Sequence, residues 1–177
     1  MKPAIVFVLF LDILLSGMIV SFAGCKKSSS GNPSNNAGSI TATLNGTAWS
    51  SNLLTMAIYY TSNDEFQLFG IQHKGADSSK FGLLITAPVT LNKPVGPDTP
   101  INSFGQFNDV VFRNMVSGQS YDGMPDFGGR STLMVTALDS TARKISGTFS
   151  GVLYNVANSS DSLVVTNGSF NTSYTVQ

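Results

Sequence analysis

The feature that most constrains this chain is a period of two. In "KISGTFSGVLYN", Ile145, Gly147, Phe149, Gly151 and Leu153 alternate with Ser146, Thr148, Ser150, Val152 and Tyr154. In "SLVVTNGSFNTSYTV", the alternation sets Val164, Thr166, Gly168, Phe170, Thr172, Tyr174 and Val176 against Leu163, Val165 and small polar residues. Successive strand side chains point to opposite faces, so this period predicts β-strands with one face buried. "NVANSSD" joins the two segments, which predicts a long antiparallel hairpin. Both carry a G-[ST]-F pattern, Gly147-Thr148-Phe149 and Gly168-Ser169-Phe170. A glycine beside an inward phenylalanine relieves crowding in a strand pair. Two copies are too few for a solenoid.

The same period recurs upstream, and no long helical stripe does. "SITATLNGTAW" places Ile40, Ala42 and Leu44 on one face before Asn45-Gly46, a strong hairpin-turn signal, with Trp49 beyond it. "LLTMAIYY" and "EFQLFGIQ" predict two strands around the polar turn 61–64, and "KFGLLITA" a further one ending at Pro88. Between Pro88 and Pro100 four prolines and Gly96 predict a loop or a broken edge strand, because proline cannot donate to a ladder. "QFNDVVFRN" and "STLMVTALD" predict strands on either side of a Gly-rich loop, "SGQSYDGMPDFGGR". About eight short strands with no crossover helix predict an all-β fold. An antiparallel two-sheet sandwich is the expected architecture, with a small closed β-barrel as the alternative. Alternation in most strands predicts one buried and one wet face per sheet.

Upstream of Ile40 the composition changes. Met1-Lys2 and the apolar run "PAIVFVLFLDILLSGMIVSFAG" have the parts of a secretory signal peptide. Asp12 argues against a permanent span, since an acidic group at mid-membrane costs about 2.5–3.5 kcal/mol. Cys25 is the only cysteine, and Lys26 to Ser39 contain no large apolar residue. Such a Ser/Asn/Gly tract is a flexible tether rather than a packed segment. Lysines and serines beside Cys25 exclude a core thiol, and one cysteine excludes an intrachain disulfide. The expected organisation is a signal peptide (1–24), Cys25 with its tether (25–39) and a single β domain (40–177).

"SFAGC" resembles the lipobox of bacterial lipoproteins, with Ala23 and Gly24 at the small-residue positions and Phe22 where leucine is commonest. The resemblance implies diacylglyceryl transfer to the Cys25 thiol, cleavage before it and acylation of the new amine, so that the mature chain is held on a membrane. Two or more acyl chains make a stable anchor where one is marginal. The "ITATLNGTAWS" opening and the closing "ISGTF" and "NGSF" strands resemble a group of uncharacterised lipoproteins from Bacteroidetes. That resemblance implies a β-rich domain and carries no catalytic residues. Lys26 after the cysteine, rather than aspartate, implies the outer membrane. A tether without acidic residues implies its periplasmic face, with surface exposure as the alternative.

Charged residues are 11% of the chain, with ten basic and ten acidic, against about 25% in an average soluble protein. A neutral, hydroxyl-rich surface offers no footprint for nucleic acid. His73, the single histidine, sits at a strand end, and no nucleophile elbow, zinc-protease or phosphate-loop motif is present. Asp122 and Asp126 in "YDGMPDFGG" are candidate oxygen ligands for Ca²⁺, although calcium loops carry more acids at tighter spacing and turn aspartates serve backbone roles. Trp49, Tyr60, Tyr121 and Phe127, with Phe104, are candidate contacts for a glycan or peptide ligand; the competing reading is core and rim packing. Asp139-Ser140-Thr141 and Asp161-Ser162-Leu163 resemble short O-glycosylation sites of Bacteroidetes exported proteins. No cofactor is expected, and oligomeric state is left open. The sequence therefore predicts a cell-envelope lipoprotein with a non-catalytic binding or structural β domain. The rival is a small hydrolase or glycan-processing accessory using loop 118–130.

Overall fold

The computed structural model describes residues 38–86, 88–96 and 108–177. Ten strands follow one another: β1 (Ser39–Leu44), β2 (Thr47–Ser50), β3 (Leu54–Tyr60), β4 (Glu65–Lys74), β5 (Asp77–Thr86), β6 (Asp109–Asn114), β7 (Ser120–Asp122), β8 (Arg130–Asp139), β9 (Lys144–Asn155) and β10 (Asn158–Val176). The one helical piece among the described residues is a 3₁₀ turn, Pro125–Phe127. The all-β expectation holds.

The strands form one ladder in the order β2-β1-β10-β3-β4-β5-β6-β7-β9-β8, and a further pairing of β10 with β9 returns it on itself. Two antiparallel layers are thereby joined at two narrow seams. The back layer is β8-β9-β10-β1-β2 and the front layer is β3-β4-β5-β6-β7. At one seam β10 runs parallel to β3 through Tyr174↔Ala57, Thr175↔Ile58 and Val176↔Tyr59. At the other, β7 meets β9 through Tyr121↔Asn155 and Asp122↔Tyr154. All ten strands belong to one sheet rather than the two separate sheets expected of a sandwich, and the β9–β10 pairing closes the ladder as the alternative barrel would.

The predicted Asn45-Gly46 turn has both residues at positive φ, 45° and 84°, as a tight hairpin turn of the type I′ kind requires. It is pinned to β10, because Asn45 N donates to the Val164 carbonyl (2.9 Å) and Asn45 Oδ1 accepts from Val164 N (2.8 Å). The described part of the proline-rich segment, residues 88–96, meets the edge of β8, where Val95 and Leu133 exchange both backbone bonds at 2.8 Å.

The β9–β10 hairpin carries the Gly/Phe pattern as expected. Gly147 stands opposite Phe170 and Gly168 opposite Phe149. A Cβ on Gly147 would run into the Phe170 ring and the Met134 carbonyl; one on Gly168 would come within 2.7 Å of the Phe149 ring. Each ring lies over the bare backbone of the facing strand. Phe81 on β5 then links the layers, with its ring centroid 5.3 Å from Phe149, 5.1 Å from Phe112 and 4.8 Å from Trp49.

Three features differ from the sequence reading. Val164 and Thr166 do not share the inward face of Gly168 and Phe170; Val164 is 43% exposed, and Val165 is buried in their place. The register of β10 slips between Val165 and Gly168, where Asn167 has φ 51°. One extra residue in a strand flips the faces beyond it, and asparagine tolerates the left-handed region better than most residues do. Second, β7 lies inside the segment expected to be a glycine-rich loop; three residues are too few to display a period. Third, the outward side chains Ile58, Phe69 and Leu84 of the front layer are buried too. The signal was present: "FGLLIT" is a continuous apolar run, which marks strands buried on both sides.

Replacing Gly147 by alanine is expected to lower the unfolding free energy by about 2 kcal/mol or more, since its Cβ would meet a ring and a carbonyl that cannot both yield. Gly75→Ala, at φ 62° with nothing within 4 Å, carries backbone strain alone and is expected to cost about 1 kcal/mol. Urea denaturation of the two variants checks the difference.

Candidate functional site

The chemically unusual place in the described residues is where β6 meets β7. Asp109 and Asp122 point outward from the front layer and are 4% and 3% exposed. Val111 pairs with Asp122 across the two strands, so Asp109 is its diagonal neighbour, close enough for the two carboxyls to hydrogen-bond. Asp122 Oδ1 also accepts from Met124 N at 2.8 Å, and Gly123 N donates to the Val110 carbonyl at 3.0 Å. Asp109 Oδ1 accepts from Val110 N at 2.7 Å. These bonds turn the chain from β7 into Pro125–Phe127, which Gly128 ends at φ 86°.

Two buried carboxyls in contact do not both ionise. Burial pushes Asp109 well above the usual carboxylate range, and repulsion by Asp122 adds to it. Asp122 is raised to about 6, by burial first and by the nearby Asp126 charge, while the Met124 N–H and the bond from Asp109 hold it down. Asp109 therefore keeps its proton and donates it to Asp122. Asp109 was not singled out from the sequence. The available signal was an aspartate inside the apolar run "NDVVF", a residue that strands disfavour.

A second cluster closes the β7–β9 seam. The Tyr121 hydroxyl donates to Asp161 Oδ2 at 2.8 Å, and Asn155 Nδ2 donates to the same oxygen at 2.9 Å. Those two bonds hold Asp161 below its ordinary value, Asn155 contributing more than Tyr121. Asp161 lies where β10 inserts residues between Asn158↔Asn155 and Ser162↔Tyr154.

The sequence-derived candidates do not meet at one site. Trp49, expected near a loop, is 4% exposed in the core, with its indole N–H donated to Ser79 Oγ at 2.8 Å. Its alternation with Ala48 and Ser50 turns it inward, away from any ligand surface. Tyr121 is half-buried and its hydroxyl is engaged by Asp161. Tyr60 is half-buried at the end of β3, on the far side of the front layer from β7. Phe127 is half-buried in the 3₁₀ turn, and Asp126 beside it is exposed. Among the described residues no group of three or more His, Cys, Asp or Glu side chains is arranged to hold a metal ion. Cys25, the leader, most of the tether and Phe104 lie outside the described residues.

His73 is at the tip of the β4–β5 hairpin, its Nδ1 2.8 Å from Ser78 Oγ. Asp122 stands in the row of Phe69, Gly82 and Val111, three strands over and four residues back along β4. At about 3.3 Å per residue and about 4.8 Å per strand, the two are about 20 Å apart.

Residues 134–173 match a family model described as a domain of unknown function, DUF5025. The matched stretch takes in most of β8, all of β9 and most of β10, with both Gly/Phe pairs, and leaves out Asp109 and Asp122. No curated protein and no solved structure matches the chain.

The carboxyl pair sets a pH dependence of definite sign. A carboxyl raised in the fold holds its proton more tightly there than in the unfolded chain, so its contribution is full below pH ~4 and is lost as pH rises. The loss runs through about pH 6 for Asp122 and continues higher for Asp109. Asp109→Asn keeps a donor to Asp122 without the second charge. Thermal melts are expected to show parent and variant alike near pH 4, with the variant ahead by several degrees at pH 8, at about 2–4 °C per kcal/mol. Glu65, also raised by burial, is present in both proteins and cancels in the difference.

Proposed function

We propose that this chain is a cell-envelope lipoprotein of the Bacteroidetes type, anchored through Cys25 to the outer membrane. The observation that carries the reading is the placement of the only cysteine. It ends an apolar run, follows Ala23-Gly24, and precedes fourteen residues, Lys26 to Ser39, without a large apolar side chain. A leader ending before Cys25 and a diacylated thiol account for all three. The first strand among the described residues begins at Ser39, which fits a tether ending there. Lys26 beside the anchor favours the outer membrane, and a tether free of acids favours its periplasmic face.

The domain acts in this reading as a non-catalytic binding or structural module. The rival, a small hydrolase working from loop 118–130, would be favoured by His73 clustering with Asp122 or Asp126. The sheet register supports the module reading, because two strands, β5 and β6, stand between the strands of His73 and Asp122. Asp109 and Asp122 hydrogen-bond to each other and to backbone, a structural use of carboxyls. A glycan or peptide ligand would meet Tyr60 or Phe127, the two aromatic candidates among the described residues whose side chains are not engaged by Asp161 or the core.

Intact mass of the membrane-extracted protein is expected to equal residues 25–177 plus a diacylglyceryl group and an amide-linked acyl chain. Cys25→Ser is expected to retain its leader and to lose those lipids. A parent chain that carries no lipid, or a serine variant processed like the parent, overturns the reading.

A further inference from the structure

Five of the eight large apolar side chains that stand exposed among the described residues lie in the turns at one end of the front layer. They are Leu53 and Leu54 before and at the start of β3, Met115 and Val116 between β6 and β7, and Val156 between β9 and β10. Leu53 and Val116 are 65% and 63% exposed. Backbone bonds tie these turns into one strip. Leu53 N donates to the Ile71 carbonyl (3.1 Å), and the Asn52 side chain brackets His73 with bonds of 2.9 and 2.7 Å. Met115 N donates to the Ser78 carbonyl (2.7 Å), and Val156 N to that of Ser120 (2.9 Å). Single exposed apolar residues are ordinary; a fixed row of them at one rim is not.

We propose that this rim rests on the surface of a lipid bilayer with anionic headgroups. The inference rests on the anchored-lipoprotein reading for the presence of a bilayer nearby. Two observations select that occupant. The described chain enters the domain beside the rim: Ile40 N donates to Ser51 Oγ at 2.9 Å, and Ser51 N returns a bond to the Ile40 carbonyl at 2.8 Å, two residues before Leu53. A tether ending there brings this rim towards the membrane that holds its other end. The charges behind the rim lean cationic, with Lys74, Lys80 and Arg113 against Asp77 and, beside the Val156 turn, Asp161. Other acids, Asp64, Glu65, Asp109, Asp122 and Asp126, lie at the opposite ends of the front strands or in the turn after β7. Apolar side chains dipping between headgroups, with basic groups above them, is the pattern of reversible interfacial binding.

The test uses residues 25–177 with Cys25→Ser, which carries neither leader nor lipid and contains the whole compact unit Asn35–Gln177. It is sedimented with vesicles of phosphatidylcholine, with and without phosphatidylglycerol. The protein is expected to pellet with the anionic vesicles, less with the neutral ones, and less as salt is raised. Leu53→Ser with Val116→Ser is expected to reduce partitioning about tenfold or more, with an unchanged thermal melt, because both side chains are exposed. Leu91→Ser with Val176→Ser, exposed elsewhere, is expected to leave it unchanged. The proposal is overturned if the protein stays in solution with both vesicle types, or if the rim variant pellets like the parent. Loss of self-association in the rim variant, with no vesicle binding by the parent, also overturns it and assigns the rim to a second copy. Lipid found on the native protein, with no vesicle binding here, removes this inference and leaves the anchor standing; vesicle binding without lipid does the reverse.

Discussion

The structure depends first on two aromatic rings lying over two glycines. Phe170 crosses to Gly147 and Phe149 crosses to Gly168, so each strand of the β9–β10 hairpin lends a ring to the other and leaves room for the one it receives. The exchange fixes register: a slip of one residue would place each ring over a side chain and turn the core-facing set outward. It also fixes the reach of the core, because Phe149 meets Phe81 of the front layer and through it Trp49 and Phe112. The matched family segment, residues 134–173, contains all four residues of the exchange. β10 then serves every other part of the fold. It pairs with β9 on one edge and with β1 and β3 on the other.

A strand of this length has to bend to serve three partners, and the irregularities show where it does. Asn167 supplies one extra residue, seen as a register shift by both β9 and β1. A second irregularity between Asn158 and Ser162 turns Asp161 towards Tyr121 and Asn155. Bulges strengthen local twist, and here they carry β10 from the back layer to the seam with β3. The left-handed residue is asparagine at Asn45, Asn92 and Asn167, so side-chain chemistry accommodates backbone that would otherwise require glycine.

The parts of the fold legible in sequence were those with a long period or a tight turn. The β9–β10 hairpin, its Gly/Phe exchange and the Asn45-Gly46 turn each come from local pattern. What was not legible depends on partners remote in sequence. Thr166 and Gly168 look equivalent in a strict period of two, and only the pairing with β9 and β1 displaces one of them. Trp49 has the look of a loop aromatic until β2 folds over β5 and Ser79 takes its N–H. Asp122 reads as one more turn aspartate because its partner, Asp109, lies on the preceding strand across a hairpin. A shared proton leaves no mark in a sequence.

That proton bears on how the sheet closes. β7 has three residues, and its link to β9 consists of two residue pairs. So short a connection contributes little by itself; what holds it is the side chains around it. On the inner side Tyr121 packs against Phe112 and bonds to Asp161, tying β7 to the start of β10. On the outer side Asp122 takes the bond from Asp109, tying β7 to β6. An asparagine pair would fill the same space without titrating, whereas two aspartates make the outer tie conditional on one proton. Ionising both would set two desolvated charges against each other at the place where the ladder is thinnest. The narrow β7–β9 seam is therefore where acid–base chemistry and sheet closure meet.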